Sequence, residues 1–131
     1  MTKEEVILTA VQWWSDKLAS RAPHSNGDNN SASVMACLFA DMGSKPITEE
    51  QLSTFEQTLT EKLQEQYDDY ILNRYAGLFI IGCDYGPSTE LHDAAVRAGI
   101  STMNFPFKTW MRIYKDYVEV SAGYGAPFVR L

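Results

Sequence analysis

The stretch "GLFIIGCDYGPSTELHDAA", residues 77–95, decides the fold. Before it, apolar residues recur every three or four positions, the period of a half-buried helix. Here that period stops. Leu78–Cys83 is an unbroken apolar run of strand length, Asp84-Tyr85-Gly86-Pro87 is a turn sequence, and Ser88–Ala98 resumes a helical pattern that Gly99 ends. In the turn, Asp84 is expected to accept hydrogen bonds from the backbone, Gly86 to take a positive φ, and Pro87 to preset the chain for the helix.

Upstream the chain is helical. Residues 2–21 form an amphipathic helix that starts at a Thr2/Glu5 capping box, carries Ile7, Val11, Trp14 and Leu18 on one stripe with Trp13 widening it, and stops at Pro23. The polar loop "HSNGDNNS", residues 24–31, precedes a short helix over 32–42 whose Val34, Met35, Leu38, Phe39 and Met42 share a face, with Gly43 as its stop. A third helix opens at the Thr48/Gln51 capping box and carries Leu52, Phe55, Leu59, Leu63 and Tyr67.

Downstream, "TWMRIYKDYVEVS", residues 109–121, reads as a hairpin. A two-residue turn at Lys115-Asp116 pairs Met111 with Val120 and Ile113 with Val118 on one face, and Arg112 with Glu119 on the other. Lys-Asp is not a favoured sequence for a primed turn. The tail "GYGAPFVRL" is glycine-rich and then apolar, and suits an edge strand. The fold class is therefore α+β: N-terminal helices packed on a small, mainly antiparallel sheet of three to four strands, with one further helix. The 131 residues suit a single domain, helical over 1–70 and mixed over 71–131.

Composition narrows the function. The net charge is −6 and unevenly placed: residues 1–70 hold 12 acids against 5 bases, residues 71–131 hold 5 acids against 6 bases. Such a chain has few cations with which to release counterions from nucleic acid, but it suits a basic protein surface. Between Thr48 and Asp69 seven acids face Lys62 alone. Glu56, Glu61, Glu65, Asp68 and Asp69 are the candidate partner-binding residues, with a merely solubilising face as the competing reading. No apolar run has the length of a membrane span, and "MTKEEV" has no basic region before an apolar one, so a cytoplasmic protein is expected. Cys37 and Cys83 sit apart in apolar runs and read as buried thiols.

Catalytic readings are thin. Gly82-Cys83-Asp84-Tyr85-Gly86 has the outline of a nucleophile elbow, but it needs a histidine base, and His24 lies in the polar loop while His92 lies two turns into the following helix. The start of that helix offers free N–H groups to an anion, yet Asp84 stands in front of it and no phosphate-loop spacing is present. Two histidines and two separated cysteines give no metal-ligand spacing. An aromatic-amide-cation set, Asp84, Tyr85, Asn104, Lys108 and Tyr124, suits a nucleotide-like small ligand. Trp13 and Trp14 read as core and core rim, with one of them a candidate for an interface.

Three motifs carry a resemblance. Asp84–Pro87, the Phe105–Met111 run with its FP-x-KT-x-M pattern, and Gly123–Pro127, together with Trp13-Trp14 ahead of Asn26–Asp28, resemble those of a set of small proteins of bacterial prophages and mobile elements to which no activity is assigned. The resemblance covers most of the chain and transfers no catalytic role. It implies an accessory protein that binds and inhibits a host protein, by analogy with anti-defence inhibitors such as anti-CRISPR proteins. The partner expected on this reading is a host protein with a basic surface. No cofactor, metal, nucleic acid or membrane contact is expected, and a homo-oligomer stays open.

Overall fold

The computed structural model describes residues 1–21 and 46–131. The helix expected over 32–42, the Asn26–Asp28 loop, His24 and Cys37 lie outside the described residues. Helix α1 spans Lys3–Arg21, α2 spans Glu49–Gln66 and runs on as a π-helix over Tyr67–Asn73, and α3 spans Thr89–Ala98. Strands β1 (Leu78–Cys83), β2 (Thr109–Tyr114), β3 (Val118–Ala122) and β4 (Val129–Arg130) form one antiparallel sheet in sequence order. The fold is α+β, and α3 is inserted between β1 and β2.

Both capping boxes form. Thr48 Oγ1 accepts from the Gln51 N–H at 3.1 Å while the Gln51 side chain accepts from the Thr48 N–H at 2.9 Å. The Glu5 N–H donates to Thr2 Oγ1 at 3.2 Å. The hairpin register is the one the sequence dictates, with Met111 opposite Val120, Arg112 opposite Glu119 and Ile113 opposite Val118. The Tyr114 N–H donates to the Tyr117 carbonyl across the Lys115-Asp116 turn. Neither turn residue has a positive φ, so the turn is unprimed, in keeping with its sequence.

The helices form one layer over the sheet, with α2 between α1 and α3. Lys3 pairs with Asp68 at 2.7 Å and Ser15 donates to Glu56 at 2.6 Å, so α1 and α2 run antiparallel. Gln51 reaches the Gly99 carbonyl and Gln66 reaches Glu90, so α2 and α3 do too. The core lies between the layers. Trp14, Phe55, Leu59, Leu63, Phe105, Ile81, Met111 and Ile113 are fully enclosed there. Ala10, Ala94 and Ala95 are equally buried, and their small side chains allow the outer helices to pack closely on the core. Among the described residues no helix is long and apolar enough to cross a membrane.

The π segment has a readable cause. Phe55, Leu59, Leu63, Tyr67 and Ile71 recur at intervals of four, and all are buried. A strict four-residue repeat drifts about 40° per step around an α-helix of 3.6 residues per turn. Wider π turns cancel that drift and return Ile71 to the core. Tyr67 gains a second task there, because its hydroxyl donates to the Lys115 carbonyl at 2.9 Å and ties the helix layer to the β2–β3 turn. Burial, followed by the charge of Asp116, raises the Tyr67 pKa above its ordinary value.

Gly82 is required by contact rather than by φ. A Cβ there would collide with the Trp110 ring and lie 2.6 Å from the Thr109 carbonyl oxygen. Gly82→Ala is expected to lower stability by about 1–3 kcal/mol through overpacking. Leu59→Ala, which opens a cavity under α2, should cost about 2–5 kcal/mol. Chemical denaturation checks both, and an unchanged midpoint for Leu59→Ala would mean that the stripe is not the core.

Candidate functional site

Three of the singled-out motifs meet at one end of the sheet. β1 and β3 run against β2, so the segment after Cys83, the segment before Thr109 and the segment after Ala122 leave the sheet on the same side. Lys108 is their hub. Its N–H donates to the Asp84 carbonyl at 3.0 Å, and its own carbonyl accepts from the Gly123 N–H at 3.1 Å. To serve both neighbours the backbone adopts φ 55°, a left-handed conformation that costs a side-chain-bearing residue about 1–2 kcal/mol. The Lys108 Nζ pairs with Asp84 Oδ1 at 2.5 Å and lies 4.1 Å from the Tyr85 ring centroid and 5.9 Å from that of Tyr124.

This geometry changes the roles expected in the turn. The Asp84 carboxylate turns to Lys108 rather than to the turn backbone, whose own bond is Asp84 N–H to the Gly86 carbonyl at 3.2 Å. Gly86 is not among the residues with positive φ. Ser88 does not cap α3 with its side chain. Its Oγ accepts from the Gly82 N–H at 3.3 Å and its N–H donates to the Gly82 carbonyl at 2.7 Å, closing the turn back on β1.

Of the five residues proposed for a small ligand, four come together. Asn104 does not join them: it is buried in a 3-10 turn (Thr102–Asn104), and its amide donates to the Ser101 carbonyl at 3.1 Å. The hydrogen bond to Asp84 raises the Lys108 pKa above its ordinary value and favours the charged ammonium. An incoming phosphate would have to displace the Asp84 carboxylate from it. Tyr85 and Tyr124, 78% and 89% exposed, flank this ion pair and face solvent. A cavity of about 270 Å³ lies nearby, between α1 and the ends of β2 and β3, lined by Trp13, Lys17, Phe107 and Gly123 among others.

The five acids of α2 and the π segment separate into two groups. Glu56 accepts from Ser15, Asp68 pairs with Lys3, and Asp69 pairs with Arg74 at 3.2 Å. Glu61 and Glu65 are exposed and carry no ion pair among the described residues. They stand on the central helix of the layer, away from its flanks.

His92 is exposed, with Nδ1 3.3 Å from Asp93 Oδ1. The contact with His92 and then that with Lys62 hold the Asp93 carboxyl below its ordinary value. Among the described residues no group of three or more His, Cys, Asp or Glu side chains is placed to hold a metal ion. Cys83 is buried.

The open face of the sheet carries contacts not foreseen in the sequence. Arg112 lies 3.5 Å from the Phe128 ring centroid, Arg130 lies 4.2 Å from that of Tyr117, and Tyr117 stacks on Tyr114. The hairpin register already put Trp110, Arg112 and Tyr114 on that face. It held no signal for the return of Phe128 and Arg130. No family model matches the chain, and no curated protein does.

Asp84→Asn tests the hub. The Lys108 ammonium should titrate at lower pH in the variant, measured by NMR of the lysine side chain. The folded-state pKa of Lys108 is raised, so the pair's contribution to stability is present below about 10.5 and lost as pH rises through the folded value. An unchanged Lys108 titration would mean that the ion pair does not exist in solution.

Proposed function

We propose that this chain is a non-enzymatic accessory protein of a phage or mobile element that binds and inhibits a host protein with a basic surface. The setting rests on the resemblance carried by the Asp84–Pro87, Phe105–Met111 and Gly123–Pro127 motifs. The mode rests on one observation: Glu61 and Glu65 stand exposed, without ion pairs among the described residues, on the central helix of the layer.

An inhibitor of a defence system, such as one that occupies a groove built for phosphates, fits this arrangement, because carboxylates on a helix present anions to cations arranged for a nucleic-acid backbone. The ligand alternative is weaker on this geometry. Lys108 already holds Asp84, and the Asn104 amide is engaged inside the protein.

Glu61→Lys combined with Glu65→Lys should slow association with the partner and flatten its salt dependence, since exposed charges act mainly on encounter and are screened by salt. The fold should be unaffected, because exposed charges contribute little to stability. Association rates at two salt concentrations, against a partner captured with the wild-type protein, provide the measurement. A face that serves only solubility predicts equal rates for both proteins at both salts, and that result would end the proposal.

A further inference from the structure

We propose that the outer edge of β1 pairs with the same edge of a second copy of this chain, joining two four-stranded sheets into one. The inference does not depend on the acidic face, which lies on α2.

The argument starts from the hydrogen-bond phase of the sheet. The Tyr114 N–H donates to the Tyr117 carbonyl, so even-numbered residues of β2 direct their backbone groups at β3 and odd-numbered ones at β1. The β1–β2 register places Phe79 opposite Ile113, Ile81 opposite Met111 and Cys83 opposite Thr109. Those three residues therefore bond β2, and Leu78, Ile80 and Gly82 direct theirs outward. Gly82 confirms the phase, because both its N–H and its carbonyl are taken by Ser88 from outside the sheet. Among the described residues nothing pairs with Leu78 and Ile80 on that side, and they remain as an open edge.

That edge lacks the usual protections. Its sequence, "LFIIGC", contains no charge and no proline, and Ile80 is 53% exposed. Glu90 and Asp93 of the neighbouring α3 turn to Gln66 and Lys62 of α2, so neither carboxylate stands at this edge. One edge of the sheet thus carries open backbone groups beside an exposed aliphatic side chain, Ile80.

A second copy fits this rim better than a basic partner. There is no anion on β1 for a cation to meet, and the acidic stripe that gives the chain its net charge stands in the middle of the layer. Two negative molecules can meet here without opposing carboxylates. The edge is also self-complementary. An antiparallel pairing of Leu78 with Ile80 of the copy, and of Ile80 with its Leu78, uses every open group and makes four hydrogen bonds. Centring the pairing on Ile80 instead sets Leu78 opposite a Gly82 that Ser88 already holds. Ser88 therefore selects one register.

The test is the mass of the full chain in solution. At about 100 μM, light scattering is expected to give twice the 14.8 kDa of one chain. Ile80→Lys places a charge on the rim without touching the core, and should return a folded monomer. Hydrogen exchange on the native protein provides a second reading that needs no variant. The Ile80 amide should exchange about tenfold or more slowly at high concentration than at low, while Phe79 and Ile81, which bond β2, serve as constant references. A monomeric mass at high concentration, a dimer that persists in folded Ile80→Lys, or an Ile80 amide indifferent to concentration would each overturn the proposal.

Discussion

The structure depends on α2 having three faces to bury. α1 lies on one side, α3 on the other, and the sheet beneath. Phe55, Leu59, Leu63 and Tyr67 point down, and only a narrow strip remains for solvent. The acids of the segment must share that strip or find partners at its rims. Lys3 reaches Asp68 from the start of α1, and Ser15 reaches Glu56 from its middle. The net charge of the helix thus follows from its place in the layer: a central helix can keep charges only where neither neighbour covers it. The same packing accounts for the π turns that keep Ile71 inward. Trp14 marks the tightness of the result. It is fully buried, stands edge-on to Trp13 and Phe105, and its indole N–H has no acceptor among the described residues. An unmade hydrogen bond there costs about 1–3 kcal/mol, which the burial of a large aromatic offsets.

The opposite end of the molecule is organised by a backbone conflict. Lys108 must give its N–H to the strand on one side and its carbonyl to the strand on the other, where an ordinary strand residue directs both the same way. The left-handed φ resolves this, and bonds to Asp84 and Gly123 hold it in place. The ion pair with Asp84 adds a side-chain clasp across the same gap. With the backbone so constrained, the charged groups at this end satisfy each other, and the exposed matter is aromatic: Tyr85 and Tyr124.

What the sequence made legible is what depends on neighbours close along the chain. Two capping boxes, the β1 run and the Gly99 stop follow from spacing within one element, and the Met111–Val120 register follows from a two-residue turn. The π segment was legible in principle, in the four-residue repeat from Phe55 to Ile71, but the reading stopped the stripe at Tyr67. The rest was hidden because its partners are distant. Asp84 and Lys108 lie 24 positions apart, so a turn aspartate looked like a local acceptor. Lys3 and Asp68 are joined by 65 positions, so five acids that looked equivalent differ in whether a cation from α1 or a nearby Arg74 engages them. Ser88 marked only where the α3 pattern begins, while its hydroxyl accepts from the Gly82 N–H. Asn104 looked like a ligand group by composition, and its burial depends on Phe105 entering the core beside Trp14.

These placements bear on how the protein can bind. Once Asp68, Asp69 and Glu56 have internal partners, the exposed acids of α2 without an ion pair among the described residues are Glu49 and Glu50 in its first turn and Glu61 and Glu65, one turn apart. Two exposed carboxylates can steer a basic surface, but their contribution to a formed complex is small, about 0.2–1 kcal/mol for each exposed pair. Most of the affinity in protein contacts comes from aromatic and arginine side chains that lose water on binding. The sheet layer carries Tyr85 and Tyr124 at its end and Trp110, Arg112 and Arg130 on its open face, while Arg97 is exposed on α3 and Arg74 and Tyr75 follow the π segment. A partner drawn in by α2 alone would be held weakly and released by salt. On the proposed reading, tight binding requires a partner that extends from the acidic strip around to the aromatic end of the sheet, or one that meets two copies at once.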